Sequence, residues 1–305
     1  MRLKPEISKA CSRIERYVRR TPSVKVDCGL GYLLELKLEQ FQYTGSFKAR
    51  GAFNTMLSEP VPDGGLVAAS GGNHGAAVAY AATTLGHKAH IFVPEIAGPS
   101  KIALIERTGA DLTVVDGLYS DALKAALDYE SETGAMQIHA YDAEATVIGQ
   151  GTCMAEWETQ GLEADTVLIA VGGGGLISGA MAWLQGARKV VAVEPERCCA
   201  LQQARAQGAP VDVSVSGIAA NALGAKRIGD ICFKLAETQE IETVLVSDEH
   251  IQMAQSLLWQ DLRILVEPAG ATALAALMSG AYAPAKEERV AVLLCGGNVS
   301  NDPLA

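Results

Sequence analysis

The chain has 305 residues and carries 25 Lys and Arg against 35 Asp and Glu, so its formal net charge is −10. This acidic balance argues against nucleic acid as a partner, because phosphate binding needs clustered basic side chains. Hydrophobic residues make up 49% and aromatic residues only 5%, which indicates a globular protein with an aliphatic core and, at this length, two lobes.

The amino-terminal segment mixes charges and has no apolar run before a cleavage site, so we expect a cytoplasmic protein. Seven scattered cysteines without a CxxC pair argue against a disulfide framework or a thiolate zinc site. Residues 167–184 are uncharged over a length close to the minimum for a membrane span. Four consecutive glycines within that stretch argue against a membrane helix.

Short apolar runs alternate with segments of helical spacing, which predicts parallel strands joined by crossover helices. No charge run or low-complexity linker interrupts this order, so we expect two lobes that exchange chain segments. The predicted strands are residues 66–69, 89–93, 112–115, 166–171, 190–193, 243–246 and 290–294.

The first segment that suggests chemistry is TGSFKARGA, residues 44–52. Thr44 and Gly45 suit a turn, and Ser46 is a candidate cap for a helix that has Lys48 in its first turn. The positive end of the helix dipole disfavours an ammonium group there. If Lys48 is also desolvated, it becomes a candidate Schiff-base nucleophile or general base, although most lysines are simply solvated.

Two glycine-rich segments each follow an apolar strand and precede a helix, a position where backbone N–H groups bind anions. SGGNHG adds the polar side chains of Ser70, Asn73 and His74 before a helix predicted over 76–85, and suits a carboxylate or phenolate oxygen. GGGGL, residues 172–176, suits a phosphate. A dinucleotide site is the rival interpretation of the second loop, but the third glycine of GxGxxG is missing.

The last segment, CGGN, places Cys295 where a strand ends, at the edge where open α/β sheets bind ligands. Taken alone, this thiol is equally well a small core residue. A candidate Schiff-base lysine, an anion loop, a phosphate loop and a polar strand end together suit one cofactor, pyridoxal 5′-phosphate.

The motifs TGSFKARGA, SGGNHG, GGGGL, ILVEPAG and CGGN, in this order, resemble the fold type II pyridoxal-phosphate family, within it the branch of serine/threonine dehydratases and serine racemases. The resemblance implies a two-lobed α/β fold like that of the tryptophan synthase β chain, with open, mostly parallel sheets flanked by helices. The implied large cofactor-binding domain is 1–53 with 142–305, and the small domain, which binds the substrate carboxylate, is 54–141. No carboxy-terminal regulatory domain, and hence no feedback by isoleucine or valine, is expected.

The resemblance also implies the roles of individual residues. Lys48 would form the imine with the cofactor and later remove the substrate Cα proton, with Phe47 on one face of the pyridine ring and Gly217 on the other. Asn73 would bind the ring phenolic oxygen, and Cys295 would face the ring nitrogen. The phosphate would be held by Gly172, Gly173, Gly174, Gly175 and Leu176, and the substrate carboxylate by Ser70, Gly71, Gly72, Asn73 and His74.

The implied reaction is α,β-elimination of water from L-threonine or L-serine, followed by release of a 2-oxo acid and ammonia. Racemases of the branch have a serine in place of Gly71, so little racemase activity is expected. Glu194 occupies one of the two carboxylate positions of a metal site seen in some relatives, but Ala200 occupies the other, so we expect no metal dependence. Without that metal, Glu194 would be a solvated acid at a strand end. His87 and His90 lack a clustered third ligand.

Alternative functions stay open at this point. They are dehydration of another β-hydroxy amino acid such as threo-3-hydroxyaspartate, serine racemisation, and ligand binding without catalysis. The expected partner is a small amino-acid substrate rather than a nucleic acid or a membrane, and a homodimer or homotetramer is expected by analogy.

Overall fold

The computed structural model describes residues 3–299, and its strands form two sheets. The large sheet has six strands in the order β1-β2-β10-β7-β8-β9, and the small sheet has four in the order β5-β4-β3-β6. The strands are β1 Ser23–Asp27, β2 Leu33–Leu38, β3 Leu66–Ala69, β4 Ala89–Pro94, β5 Asp111–Val115, β6 Met136–Gln137, β7 Thr166–Ala170, β8 Lys189–Pro195, β9 Ile241–Val246 and β10 Val290–Leu294.

Helices connect the strands, as the alternating pattern predicts. They are α1 Lys4–Ile14, α2 Lys48–Ser58, α3 Asn73–Leu85, α4 Pro99–Glu106, α5 Tyr119–Thr133, α6 Glu144–Thr159, α7 Gly175–Leu184, α8 Ala200–Gln207, α9 Ala220–Leu223, α10 Asp230–Thr238, α11 Asp248–Leu262 and α12 Pro268–Ser279. Short 3₁₀ helices occur at Glu39–Phe41, Tyr43–Gly45 and Glu95–Ala97. None of the helices within residues 3–299 is long and apolar enough to cross a membrane.

Every strand pair in the two sheets is parallel except β1 with β2, which is antiparallel. The carboxyl ends of parallel strands meet at one edge of a sheet, and this edge is where such sheets bind ligands. The α/β fold with mostly parallel sheets flanked by helices is therefore confirmed. The domain boundaries at 53/54 and 141/142 stay a prediction.

All seven strands expected from the sequence are present, and the uncharged stretch over 167–184 is divided between β7, a glycine loop and α7. Strands β1, β2 and the two-residue β6 were not predicted from the sequence. In β2, Glu35 and Lys37 interrupt the apolar pattern, yet both are buried. Lys37 is tolerated there because its ammonium donates to Glu156 Oε1 at 2.6 Å and to the carbonyl oxygen of Thr21 at 2.9 Å.

Candidate active site

Lys48 is the first residue of α2 and lies where two segments meet, the end of β10 in the large sheet, which Phe47 N contacts, and Ala140 after β6 in the small sheet; this region is called the cleft below. Its Nζ donates to the carbonyl oxygen of Ala140 at 2.7 Å. Burial lowers the pKa of Lys48 to about 8, although Cys295 and Glu267 act in the opposite direction. The amine is therefore neutral in roughly a tenth of molecules at pH 7 and in about half at pH 8, far more than for a solvated lysine, and the neutral form is the one that a nucleophile or general base requires.

The capping role expected of Ser46 is wrong. Phe47 is the residue that precedes α2, and no side chain caps the helix. Ser46 instead has an extended backbone and forms an isolated bridge with Gly296. Its buried Oγ has no hydrogen-bond partner among the described residues. This bridge joins the segment before Lys48 to the end of β10, where Phe47 N also donates to the carbonyl oxygen of Cys295 at 3.2 Å.

The SGGNHG segment forms the turn from β3 into α3, and the helix begins at Asn73 rather than at residue 76 as predicted. Gly72 N donates to Ser70 Oγ at 3.2 Å, which shapes the turn. The first N–H groups of α3 have no partner within the helix, so they are available to hydrogen-bond an anion. The imidazole of His74 is engaged elsewhere, with Nε2 at 2.7 Å from the carbonyl oxygen of Ile138. Burial and the nearby Lys48 lower the pKa of His74 to about 3, so the ring is neutral.

The four-glycine loop leads from β7 into α7, and Gly175 and Leu176 form the first turn of that helix. The ring of Tyr141 covers the loop so closely that a Cβ atom on Gly173 would lie 2.3 Å from it. Gly174 has φ +92°, a conformation that favours glycine. Tyr141 follows Ala140, the residue bonded to Lys48, so the loop and Lys48 are neighbours in space.

Residues 139–142 link the glycine loop to the small sheet, and no role was predicted for them from the sequence. Asp142 accepts hydrogen bonds from the N–H groups of Asp230 and Ile231, both at 3.0 Å. It thereby caps α10 and holds the segment in place. His139 Nδ1 in turn accepts from Asp142 N at 2.8 Å.

Cys295 lies close to Lys48, whose pKa it influences, whereas Gly217 lies against Asp248. The Cys295 side chain is buried and contacts the carbonyl oxygen of Ala269 at 3.4 Å, and burial raises the pKa of its thiol well above the ordinary range. Gly217 has φ +89° and begins the segment that leads into α9. That segment packs against both glycine-rich turns, because a Cβ atom on Gly72 would lie 3.4 Å from Asn221 O and one on Gly172 would lie 2.8 Å from Leu223 Cα.

Glu267 is a site residue that the sequence analysis missed, although it belongs to the quoted ILVEPAG motif. It precedes α12, is 4% exposed and accepts a hydrogen bond from Asn73 Nδ2 at 2.5 Å. Asn298 donates to Asn73 Oδ1 at 2.7 Å. The signal available in the sequence was an acidic residue inside an apolar segment, but its partner lies 194 positions away.

Glu194 is not the solvated strand-end acid that was one of its two expected roles. It is fully buried, and its carboxylate accepts from the N–H groups of Leu201 and Gln202, both at 2.8 Å. Burial raises its pKa to about 7. Within residues 3–299, no group of three or more His, Cys, Asp and Glu side chains is arranged to hold a metal ion.

The residues of the cleft fit a phosphorylated aldehyde cofactor. The glycine loop offers a side-chain-free surface and the N-terminus of α7 for a phosphate. Lys48 offers a partly buried amine, and the buried hydroxyl of Ser46 has no hydrogen-bond partner among the described residues. The class that this fold and this site define is an α/β enzyme dependent on pyridoxal phosphate.

Comparison with known proteins leads to the same class. Residues 14–296 match the family described as pyridoxal-phosphate dependent enzyme. The chain is 34% identical over 295 residues to a phenylserine dehydratase of Ralstonia pickettii, covering 94% of this chain and 90% of that protein. It is 34% identical over 269 residues to an L-threonine ammonia-lyase of Thermotoga maritima, covering 87% and 67%. The structure of maize serine racemase superimposes with a TM-score of 0.91 at 32% identity, covering 97% and 93%.

The chain therefore belongs to the pyridoxal-phosphate dependent enzyme family. Within that family its relatives include both dehydratases and a racemase.

Gly174→Ala is expected to weaken cofactor binding by about tenfold or more. The new Cβ atom would lie 2.5 Å from Cys232 Sγ, so the loop backbone must move. Gly186→Ala is the matched control, because Gly186 also has positive φ (+81°) but has open space around it. Both variants carry the strain of a left-handed alanine, about 1–2 kcal/mol. Cofactor titration followed by fluorescence should separate them, and equal affinities would show that the loop does not hold the cofactor.

Proposed function

We propose that the protein is a pyridoxal-phosphate-dependent hydroxy-amino-acid dehydratase that converts L-threonine to 2-oxobutanoate and L-serine to pyruvate, with release of ammonia. The observation that supports this proposal best is the partly buried Lys48 amine, held at Ala140 beside the four-glycine loop. The dehydratase and ammonia-lyase relatives support the same reaction class.

The proposed role of the chain is to bind the amino acid and to move its protons. Bound pyridoxal phosphate supplies an electron sink that acidifies the substrate Cα–H bond. The N–H groups at the start of α3 hold the substrate carboxylate, and this fixes the direction of Cα. Lys48, as a neutral amine, takes the Cα proton. The Cβ hydroxyl group leaves as water with one proton, which balances the proton removed from Cα. A second water molecule then hydrolyses the enamine product to the 2-oxo acid and ammonia.

The experiment is to measure 2-oxo acid release from L-threonine, L-serine and L-threo-3-hydroxyaspartate by the pure protein with added pyridoxal phosphate. Turnover of threonine or serine is the expected result. A yellow protein that turns over none of the three would retain the cofactor but contradict the substrate proposal.

Lys101 favours a second candidate, dehydration of an acidic β-hydroxy amino acid. Its side chain is only 7% exposed, and among the described residues it has no ion-pair partner. It is close enough to Glu267 for each to affect the other's pKa. A cation at this place suits a second substrate carboxylate. Preference for 3-hydroxyaspartate over threonine, lost in Lys101→Met, would establish this candidate.

Serine racemisation is the activity that we expect to be slow. Gly71 has no side chain that could act as an acid or base at Cα. A side chain at this position would also clash with its neighbours, because a Cβ atom would lie 2.3 Å from Ala97 Cβ and 2.9 Å from Val93 Cγ1.

The proposal also includes a cytoplasmic location and assembly as a homodimer or homotetramer. Sedimentation of the holoenzyme tests the assembly.

Gly71→Ser alone is expected to lower kcat/KM for L-threonine by about tenfold, without producing D-serine from L-serine. The reason is that the serine Cβ displaces the turn that binds the carboxylate. The double variant Gly71→Ser with Ala97→Gly removes the closest contact and should recover most of the lost activity. Chiral chromatography and 2-oxo acid release measure the two effects. Rapid racemisation by Gly71→Ser alone would contradict the steric argument.

A further inference from the structure

A chain of three side chains fixes the orientation of the Asn73 amide. Asn298 Nδ2 donates to the carbonyl oxygen of Thr44 at 2.7 Å and to Asn73 Oδ1, also at 2.7 Å. Both of its hydrogens are therefore used. Asn73 Nδ2 donates to Glu267 Oε1 at 2.5 Å. An ionised carboxylate only accepts, so the nitrogen of Asn73 must face Glu267 and its oxygen must face Asn298.

This arrangement leaves one hydrogen of the Asn73 amide nitrogen without a partner in the network. The amide nitrogen carries two hydrogens, and only one of them is directed to Glu267. The second hydrogen is free to be donated to an anionic oxygen in the cleft. If the amide rotated by half a turn, it would present an oxygen there instead, which would repel an anion.

Glu267 can control the orientation of the Asn73 amide because its side chain is buried and held in place. The backbone of Gly296 is so close that a Cβ atom there would lie 2.2 Å from Glu267 Oε1. The titratable groups that influence it are Lys101 and Lys48, and it in turn influences Cys295. The carboxylate has no ion-pair partner within 4 Å among the described residues, and its side chain is hydrogen-bonded to Asn73.

We propose that Glu267 is a positioning residue whose carboxylate locks the Asn73 amide so that its second hydrogen is donated to the ring oxygen of pyridoxal phosphate. This inference rests on the proposed function only in taking Asn73 as the partner of that oxygen. Because it concerns how the cofactor is held, it can be tested without turnover.

The protonation state of Glu267 makes the lock dependent on pH. Burial raises the pKa of Glu267 to about 7, although Asn73, Lys101 and Lys48 lower it in part. Above that pH the carboxylate accepts from Asn73. Below it the carboxyl group is protonated and becomes a donor, which competes with Asn298 for Asn73 Oδ1. The orientation of Asn73 is then no longer specified.

The test is a pH titration of the holoenzyme, followed by the absorbance of the bound cofactor and by its dissociation constant. The wild type should show a transition near pH 7, with weaker binding on the acid side. Glu267→Gln should remove the transition near pH 7, so that only the dependence on the Lys48 amine near pH 8 remains. It should also weaken binding at pH 8 by about tenfold, because a neutral amide can face Asn73 either way. Glu194→Gln is the matched control, since Glu194 is also buried with a pKa of about 7 but caps α8 instead. It should keep both the transition and the affinity.

A second variant keeps the inference testable if Glu267→Gln does not fold. Asn298→Ala leaves the charge of Glu267 in place and removes the donor to Asn73 Oδ1. It should weaken cofactor binding comparably while retaining the transition near pH 7. Wild-type affinity in both variants, or loss of the transition in Glu194→Gln, would overturn the inference. If the cofactor titrations of the wild type and the variants give the expected results but the protein turns over none of the substrates, only the proposed function is contradicted.

Discussion

Lys48→Ala is expected to lower 2-oxo acid release from L-threonine and L-serine by a factor on the order of 10³ or more, even with excess pyridoxal phosphate. A positioned general base contributes about 10²–10⁴-fold to a rate, and Lys48 is proposed to attach the cofactor as well. The variant should also lose the absorbance of the lysine-bound cofactor. Spectra and steady-state rates of the same preparation measure both effects.

Two comparisons make the Lys48 result specific. Lys189→Ala removes a lysine that is ion-paired with Glu242 at 2.8 Å outside the cleft, and it should retain wild-type rates. Burial lowers the pKa of Lys48 to about 8, so deprotonation of the free amine should assist cofactor attachment as pH rises from 6 to 9. Substantial turnover by Lys48→Ala would mean that another group removes the Cα proton.

The sequence predicted most of the parallel strands because each is a short apolar run flanked by turn residues. It failed at β2, where Lys37 and Glu35 have the composition of a surface strand. Lys37 is buried only because Glu156, 119 residues away, supplies its counter-charge. The local pattern of hydrophobic residues contains no information about such a distant partner. A strand with a buried, ion-paired lysine therefore has the same sequence pattern as an exposed segment.

The same limit applies to the candidate site. Lys48, Asn73 and the glycine loop were predicted from local context, since a turn residue and a following helix imply their exposure to a ligand. Glu267 and Tyr141 were not predicted, because each acts through contact with a distant segment. Their roles depend on how β10, α12 and residues 139–142 come together, and a single sequence does not specify that packing.

Arg50→Met is expected to destabilise the protein by about 3–5 kcal/mol, the usual cost of removing one partner of a buried ion pair. Arg50 is 1% exposed and Glu39 is fully buried. The guanidinium donates to both carboxylate oxygens of Glu39, at 2.8 and 2.7 Å, and to Glu156 Oε2 at 3.1 Å. Without Arg50, Glu39 becomes a buried carboxylate whose charge is no longer compensated. Urea unfolding measures the difference, and Arg289→Met, which breaks an exposed pair with Asp165, should have little effect.

The pH dependence of the stability lost in Arg50→Met tests whether the loss is electrostatic. Burial alone would raise the pKa of Glu39, but Arg50 and Lys37 hold it below the ordinary value. In the wild type, the stability that Glu39 contributes is therefore present above its unfolded-state pKa and is lost as pH falls through the lower folded-state pKa. In Arg50→Met the burial effect dominates and the pKa rises, so protonation at acid pH relieves the uncompensated charge. The difference in free energy of unfolding between the two proteins should therefore become smaller as pH falls from 7 to 4.

A double variant tests the same point at fixed pH. Glu39→Leu combined with Arg50→Met should be more stable at pH 7 than Arg50→Met alone, because both charges are removed and the Lys37–Glu156 pair remains. A gap that is constant with pH, or a double variant no more stable than the single one, would assign the loss to packing instead of charge.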